Sequence, residues 1–383
     1  MEFEDFQNST AGRLVLQAGG YTVFIPNPLP PEIRIDWDLT RLLSEAGANL
    51  GELSGAGRLL SNPHLLIQPY IRREAVQSSR IENTRAGMDD LFFFEADESA
   101  PPRAPDVREV SNYVHAMEYG LERLKNLPLS VRLIREIHEI LMKDVRGGYA
   151  TPGELRRTQN WIGPPGCTLK DATFVPPPVE EMKRALSDWE KYLNGKPKEP
   201  PLIQCAITHY QFEAIHPFID GNGRVGRLLI TFLLCERGLL SQPLLYLSSF
   251  FERNRDEYYR RLLSVSQKAD WRGWIEYFLK GVSVQAENAR RDAASILDIY
   301  EEIKESVKKA GNAPRHTLRI VDKLFMNPVI MISKLARELE LPYTSVKRCV
   351  DFLKTLGVLR ELMGKKRNRL FASQKLIEIL SGK

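Results

Sequence analysis

A twelve-residue segment rich in glycine and arginine, residues 216–227 (HPFIDGNGRVGR), constrains the fold more than any other stretch of this chain. Apolar, helix-compatible residues flank it on both sides, in 202–215 and in 228–235. Because the second run is too short to span a bilayer, the segment is predicted to be a loop between two buried helices. Its central Gly-Asn-Gly can adopt left-handed backbone conformations and leaves room for a ligand beside the amides.

The charged side chains of this loop indicate phosphate chemistry. A glycine loop that leads into a helix N-terminus directs amide N–H groups and the positive end of the helix dipole at one point, which suits a phosphate. Arg224 and Arg227 share a helix face and could clamp phosphate oxygens, while Asp220 could hold Mg²⁺. His216 could take a proton from an attacking hydroxyl. Together these residues indicate transfer of a phosphorus-containing group to a hydroxyl.

The loop resembles the signature of Fic (fido) proteins, HPFx[DE]GN[GK]Rxx[RK]. The resemblance implies a mainly α fold, with a Fic helical core and a small β-hairpin flap. It also implies a protein adenylyltransferase, which moves AMP from ATP to a Ser, Thr or Tyr hydroxyl of a protein, with Mg²⁺ as cofactor. A glycine at position 223 favours AMP transfer, since members with lysine there resemble the Doc kinases. UTP as the nucleotide stays open.

The resemblance also assigns roles to single residues. His216 would be the base, Asp220 the Mg²⁺ ligand, and Arg227 the partner of the ATP γ-phosphate. The residues expected to bind the nucleotide are Gly221, Asn222, Gly223, Arg224, Val225, Gly226, Arg227, Asn254 and Tyr258. The alternative is a purely structural role for each residue, with His216 as a structural histidine. A metal pair of His209 and His216 is also conceivable, but no Cys or carboxylate nearby completes a zinc site.

An upstream helix, expected over 69–85, carries a second motif. Ser78, Glu82 and Asn83 fit the [ST]xxxE[GN] inhibitory motif of Fic proteins, and the upstream position is that of class II members. Glu82 would form a charge-assisted pair with Arg227 and so occupy the guanidinium that ATP needs. The alternative is an ordinary surface glutamate.

A segment rich in Gly, Pro and Thr precedes the loop, and we expect a β-hairpin over about 159–175 with its tip at 166–171. By resemblance this flap aligns the target protein by strand addition beside the active site. A purely structural hairpin is the alternative. Residues 1–20 predict a loose arm or a short extended segment, and the prolines of 24–32 predict an extended strap.

The C-terminal part of the chain differs in charge. Residues 314–383 carry 15 Lys and Arg against 6 Asp and Glu, a net +9, whereas the whole chain has +5, which leaves −4 for the first 313 residues. Three short helices and a strand–tip–strand pattern predict a winged helix-turn-helix. The possible DNA contacts are Lys347, Arg348, Lys365, Lys366 and Arg367. A DNA-binding regulator with a nucleotide-responsive core is therefore an alternative function, and protein contact or dimerisation an alternative role for this domain.

Composition and length define the broader class. With 43% apolar and 27% charged residues, the chain suits a globular protein. Three regions are expected: an N-terminal helical region over 1–110, a catalytic core over 111–309 and the winged helix over 314–383. The four cysteines lack CxxC spacing, and neither a signal peptide nor a membrane span is evident, so a cytoplasmic location is expected. Partners to consider are ATP, the target protein, DNA and a second copy of the chain.

Overall fold

The computed structural model describes residues 3–6, 9–59, 62–145, 151–362 and 369–382, and these are mostly helical. The first eight helices are α1 (Trp37–Leu59), α2 (His64–Ile81), α3 (Met88–Ala96), α4 (Val107–Arg123), α5 (Val131–Leu141), α6 (Val179–Asn194), α7 (Pro201–Ile215) and α8 (Asn222–Glu236). The remaining helices are α9 (Ser248–Arg253), α10 (Arg255–Lys268), α11 (Trp271–Lys309), α12 (Thr317–Met326), α13 (Ile332–Glu338), α14 (Tyr343–Thr355) and α15 (Gln374–Leu380). The expectation of a mainly α fold is confirmed.

Among the described residues, five short strands form two antiparallel sheets. They are β1 (Gly12–Leu16), β2 (Thr22–Pro26), β3 (Val329–Met331), β4 (Arg360–Glu361) and β5 (Leu370–Ala372). The β1–β2 hairpin pairs Leu14 with Phe24, and the second sheet has the order β3-β5-β4. Strand β1 is the short extended segment that was one of the two alternatives for residues 1–20, and β2 makes the start of the expected strap part of a hairpin. Strand β2 buries both of its faces, because Val23, Phe24 and Ile25 are all buried.

The chain divides into two compact units, one of Met1–Gly55 with Asn112–Ala286 and the other of Ala56–Ser111 with Glu287–Lys383. Helices α7 and α8 form the centre of the first unit, where they pack against each other, and α6 packs on α7. Two buried tryptophans fix the backbone of α7: Trp189 donates its indole N–H to the Thr208 carbonyl (3.1 Å) and Trp274 to the Ala206 carbonyl (2.8 Å). Helix α7 is therefore buried along nearly its whole length, as the apolar run predicts.

The predicted flap contains a single antiparallel bridge instead of two strands. Ile162 and Phe174 exchange two backbone hydrogen bonds of 2.8 and 3.0 Å. The second half of the flap is held by β2, because the Phe24 amide donates to the Val175 carbonyl at 2.9 Å. Trp161 and Ile162 stay about 40% exposed beside the bridge. The Gly and Pro residues around the tip explain why pairing goes no further.

The second unit contains α2 and α3 together with the C-terminal segment. Helix α2 packs on α12, and Arg73 of α2 donates to the carbonyls of Ile379 (2.7 Å) and Leu380 (2.8 Å) at the end of α15. The same guanidinium is paired with Asp292. A cation at a helix C-terminus complements the dipole and caps carbonyls that have no partner within the helix. The order α12, β3, α13, α14, β4, β5 is compatible with a winged helix, which stays a prediction.

Close packing of α4 on α8 generates a stability prediction. A Cβ at Gly120 would lie 2.3 Å from the ring of the fully buried Phe232, so Gly120→Ala is expected to lower the free energy of unfolding by about 1–3 kcal/mol. Chemical denaturation measures the change. The matched control is Gly51→Ala in α1, where a Cβ meets no atom within 4 Å and helix propensity predicts stabilisation of up to about 1 kcal/mol. Equal effects of the two substitutions would contradict this packing.

Candidate active site

His216 ends α7 in a left-handed conformation (φ 50°, ψ 62°), and its amide still donates to the Phe212 carbonyl at 3.0 Å. Its ring nitrogen Nδ1 lies 3.3 Å from the Glu213 carbonyl. Because a carbonyl only accepts, Nδ1 carries the proton in the neutral ring, which leaves Nε2 with its lone pair. The His216 side chain is half-buried, so part of it is accessible to solvent. With this tautomer the ring can accept a proton at Nε2 and so act as a base.

The buried guanidinium of Arg156 binds the carbonyls around His216. Its Nε donates to the His216 carbonyl at 2.9 Å, Nη1 donates to Thr158 at 3.2 Å, and Nη2 donates to Pro177. Its own amide donates to the Pro217 carbonyl at 2.9 Å. Burial lowers the pKa of Arg156 to about 10, which still leaves it charged at neutral pH. One cation thus ties the residues that flank the flap to the backbone of the loop.

Two asparagines hold the middle of the loop. The Asn222 side chain accepts from the Phe218 amide and donates to the Phe218 carbonyl, both at 2.9 Å. Asn160 donates to the same carbonyl at 2.7 Å. All three residues are buried, so the turn 218–222 is closed on itself by side chains. This satisfies backbone groups that a buried turn would otherwise leave without partners.

Helix α5 contacts the glycine turn through the side chain of His138. His138 accepts at Nδ1 from the Gly153 amide (2.9 Å), so its Nε2–H donates to the Asp220 carbonyl (3.0 Å), and its ring stacks on Phe218 at 3.8 Å. Burial lowers the pKa of His138 to about 4, which keeps this neutral tautomer. Gly221 has φ +81°, and a Cβ there would meet Met142 Sδ at 3.0 Å. The loop therefore needs glycine at this position.

The N-terminal end of α8 carries several positively charged or N–H-bearing groups. Its first amides, at positions 222–224, have no acceptor within their own helix, and they lie beside the positive end of the dipole. Arg224 is buried, with Nη2 3.6 Å from Asp220 Oδ1 and 3.6 Å from Met142 Sδ. Arg227 follows one turn later and is also buried. Positive charge is thus concentrated at the N-terminal end of α8.

Asp220 is the one carboxylate of the loop, and its side chain is about half exposed. No cluster of three or more His, Cys, Asp or Glu side chains that could hold a metal ion occurs in the part of the chain that the structure describes. Such a cluster is not needed for Mg²⁺, which is usually bound by one or two carboxylates together with substrate phosphates. The donor set therefore fits an ion that arrives with a nucleotide.

Behind the loop, His209 and Tyr258 are buried in an aromatic cluster with Phe251 and Trp274. Burial lowers the pKa of His209 to about 3, and its Nδ1 lies 3.0 Å from the Gly226 carbonyl. Both ring nitrogens of His209 have partners, which argues against a metal pair with His216. Tyr258, predicted to bind the nucleotide, is only 1% exposed and contacts His209.

The other predicted site residues lie on several elements. Ser78 is buried in α2, whereas Glu82 follows the last residue of that helix and Asn83 has φ +67°. The helix expected over 69–85 thus begins earlier and ends at Ile81, which places the motif's acid at a helix end instead of inside the helix. Asn254 is an exposed corner residue between α9 and α10, and its side chain donates to the Phe250 carbonyl at 2.8 Å.

Two of the predicted DNA contacts lie on α14, where Arg348 is exposed and Lys347 is paired with Asp351 at 2.6 Å. That pairing partly neutralises the basic face. Lys365, Lys366 and Arg367 lie outside the described residues. DNA binding stays a prediction.

Sequence reasoning missed three residues that shape the site: Arg156, Asn160 and His138. Each acts on the loop from a segment at least 56 positions away in the chain. The available signals are weak: an arginine and an asparagine within a Gly- and Pro-rich segment, and a histidine on the apolar face of α5.

In the part of the chain that is described, no helix is both long and apolar enough to cross a membrane.

Comparisons with known proteins identify similar sequences. The profile of the Fic/DOC family N-terminal region matches residues 40–122, and the profile of the Fic/DOC family matches residues 128–234, which include the glycine loop. A probable protein adenylyltransferase of Aquifex aeolicus is 28% identical over 253 residues, which cover 61% of this chain and 72% of the relative. The protein adenylyltransferase Fic of Drosophila grimshawi is 29% identical over 168 residues, 42% of this chain and 30% of the relative. The chain therefore spans less than a third of the Drosophila protein's length.

Solved structures give the same fold. A Fic family protein from Desulfovibrio desulfuricans superposes with a TM-score of 0.59 at 19% identity, over 90% of this chain and 98% of that one. Fic-1 from C. elegans superposes with a TM-score of 0.51 at 20% identity, over 65% of this chain and 71% of that one. At these identities the likeness concerns the fold alone.

Arg156 is expected to be needed for the folded loop. Arg156→Met leaves up to three backbone carbonyls without their donor, at a cost of about 1–3 kcal/mol for each that stays buried, so we expect a loss of several kcal/mol in unfolding free energy. Urea denaturation measures it. The neighbouring Arg157, whose side chain is 84% exposed, supplies the matched control: Arg157→Met should change stability by less than about 0.5 kcal/mol. Similar losses in both variants would refute the role assigned to Arg156.

The low pKa of His209 predicts a pH-dependent stability. Below pH 6.5, the ordinary pKa of histidine, His209 binds a proton in the unfolded chain but stays neutral in the folded chain. The free energy of unfolding therefore falls as the pH falls from about 6.5 towards 3. The full loss is on the order of 5 kcal/mol. His138, with a pKa of about 4, acts in the same direction. Urea denaturation between pH 7 and 4.5 should give a shallower slope for His209→Gln than for the unsubstituted chain, and identical slopes would contradict the prediction.

Proposed function

Because the chain belongs to the Fic/fido family, we propose that it is a protein adenylyltransferase, which transfers AMP from ATP to a Ser, Thr or Tyr hydroxyl of a protein and releases pyrophosphate. The observation that carries the proposal is the glycine loop, in which His216 and the first amides of α8 belong to the same turn between α7 and α8. Relatives named protein adenylyltransferases support it.

The chemistry follows from the groups of the loop. The target hydroxyl attacks the α-phosphorus of ATP, the bond from this phosphorus to the oxygen of pyrophosphate breaks, and the hydroxyl proton passes to His216 Nε2. The α8 amides and Arg224 stabilise the negative charge that spreads over the phosphate oxygens. Asp220 would hold Mg²⁺, which would neutralise charge on the phosphates. Catalysis thus comes mainly from positioning and from fixed positive charge.

Substrate position and regulation belong to the proposal as well. The backbone at Ile162 and Phe174, with the exposed Trp161 beside it, would receive an extended segment of the target protein by strand addition. Glu82 would inhibit transfer by pairing with the guanidinium of Arg227, as the motif around Ser78 implies. Gly223 supports transfer of AMP, and UTP is the alternative donor. DNA binding by the C-terminal segment is a separate proposal, tested by salt-dependent binding that Lys347 and Arg348 substitutions abolish.

Labelled nucleotides test this function. We expect Glu82→Gly to transfer label to protein from ATP labelled at the α-phosphate at least about tenfold faster than the unsubstituted chain, because a charge-assisted pair is worth about 1.5–3 kcal/mol. His216→Ala should abolish transfer in both backgrounds, since the proton acceptor is lost.

The position of the label and the identity of the base serve as controls. Label from the γ-phosphate would indicate a kinase, and faster labelling from UTP than from ATP would indicate uridylyl transfer. Absence of any label in Glu82→Gly would remove the catalytic proposal. Equal rates with and without Glu82 would remove only the inhibition.

A further inference from the structure

The turn that follows α2 carries Glu82, the acid to which the proposed function assigns inhibition. The backbone of this turn is tied through the Arg85 amide to a buried carboxylate, that of Asp106, which lies 21 positions after Arg85. We propose that Asp106 is a positioning residue for the inhibition, because it fixes the turn that presents Glu82. The inference rests on the proposed function in one respect, namely that Glu82 slows transfer.

Helix α2 ends in a turn that contains a left-handed residue. The amides of Glu82 and Thr84 both donate to the Ser79 carbonyl, at 3.0 and 3.2 Å. The Asn83 amide donates to the Arg80 carbonyl at 2.9 Å. Asn83 has φ +67°, a conformation that asparagine adopts more readily than most residues. These bonds satisfy carbonyls at the end of the helix, and they place Glu82 at the turn itself.

Asp106 holds the other end of this turn, because its Oδ2 accepts a hydrogen bond from the Arg85 amide. The Asp106 side chain belongs to a residue that is only 9% exposed, and a buried carboxylate needs hydrogen bonds to offset its lost hydration. Its other oxygen, Oδ1, has no hydrogen-bond partner among the described residues. The buried charge therefore depends on the Arg85 amide, which favours a contact that stays formed.

The direction of the Glu82 side chain depends on the backbone of the turn. Ile81 and Ala86, on either side of the turn, are buried, whereas Glu82 is exposed. Because the core does not enclose the Glu82 side chain, its direction follows from the backbone that carries it. That backbone is fixed at one end by the carbonyls of α2 and at the other by Asp106, so loss of the carboxylate frees the second end.

Adenylyl transfer measured with and without Glu82 tests the inference on the full chain. Asp106→Ser takes the acceptor out of reach of the Arg85 amide but keeps a residue that suits the position directly before α4. With Glu82 in place, we expect label from the α-phosphate of ATP to transfer about threefold to tenfold faster than in the unsubstituted chain, the factor that one hydrogen bond typically contributes. In a Glu82→Gly background the same substitution should change the rate less than about twofold, since the acid that Asp106 positions is gone.

A second pair of variants removes the same hydrogen bond from its donor side. Arg85→Pro lacks the backbone N–H, so it should accelerate transfer as Asp106→Ser does, again only while Glu82 is present. Arg85→Ala is the matched control, because it keeps the amide and loses only an exposed side chain, and its rate should be that of the unsubstituted chain. Asp106→Asn keeps an oxygen that can accept from Arg85, and it should stay within about twofold of that rate.

The outcomes separate the inference from the function beneath it. Asp106→Ser no faster than Asp106→Asn, Arg85→Pro no faster than Arg85→Ala, or equal acceleration with and without Glu82→Gly overturns the positioning role and leaves adenylyl transfer standing. Should one pair contain a chain that does not fold, the other pair decides. A Glu82→Gly chain that is no faster than the unsubstituted one overturns the inference at its premise. Absence of label in every chain overturns the proposed function as well.

Discussion

The site depends on one requirement. A buried, sharply bent backbone needs a hydrogen-bond partner for each of its carbonyls. Between α7 and α8 the chain turns through a left-handed His216 and a left-handed Gly221, and so its polar groups cannot bond to one another as they would in a helix. A guanidinium, two amide side chains and an imidazole supply the missing partners. Because those partners come from α5, the flap segment and α8 itself, the loop has one shape only where all three elements are in place. The orientation of His216 depends on that shape.

The sequence predicts those features of the site that are local. The two apolar runs predict α7 and α8, and Gly221 with the charged residues around it predicts an anion-binding turn. Arg156 and His138 could not be predicted, since they act over 60 and 82 positions of chain, and their roles depend on tertiary packing that no short-range pattern encodes. The same limit explains the flap, where local alternation suggested two strands but only Ile162 and Phe174 pair. The pairing of β1 with β2 could not be predicted, because the prolines after Ile25 indicate an extended segment but no partner for it.

Neutral histidines have a structural use here that differs from catalysis. His138 and His209 each accept one hydrogen bond and donate another in an environment that disfavours charge, which makes each ring a directional connector with a single tautomer. Tyr258 is fully buried, so its side chain is not exposed to a ligand. Burial thus separates residues that can contact a ligand from residues that support the site from within. A sequence motif does not make this distinction, because it carries no information on burial.

The three bonds of Arg73 have a consequence for any shortened form of the protein. Two of its acceptors are the carbonyls at the end of α15, four and three residues before the last residue of the chain. A version trimmed of its final dozen residues would leave this guanidinium with Asp292 alone, and α2 would lose part of its attachment although its own sequence is intact. The end of α15 thus helps to hold α2, the helix that precedes Glu82. Removal of these last residues would therefore also alter the contacts of α2.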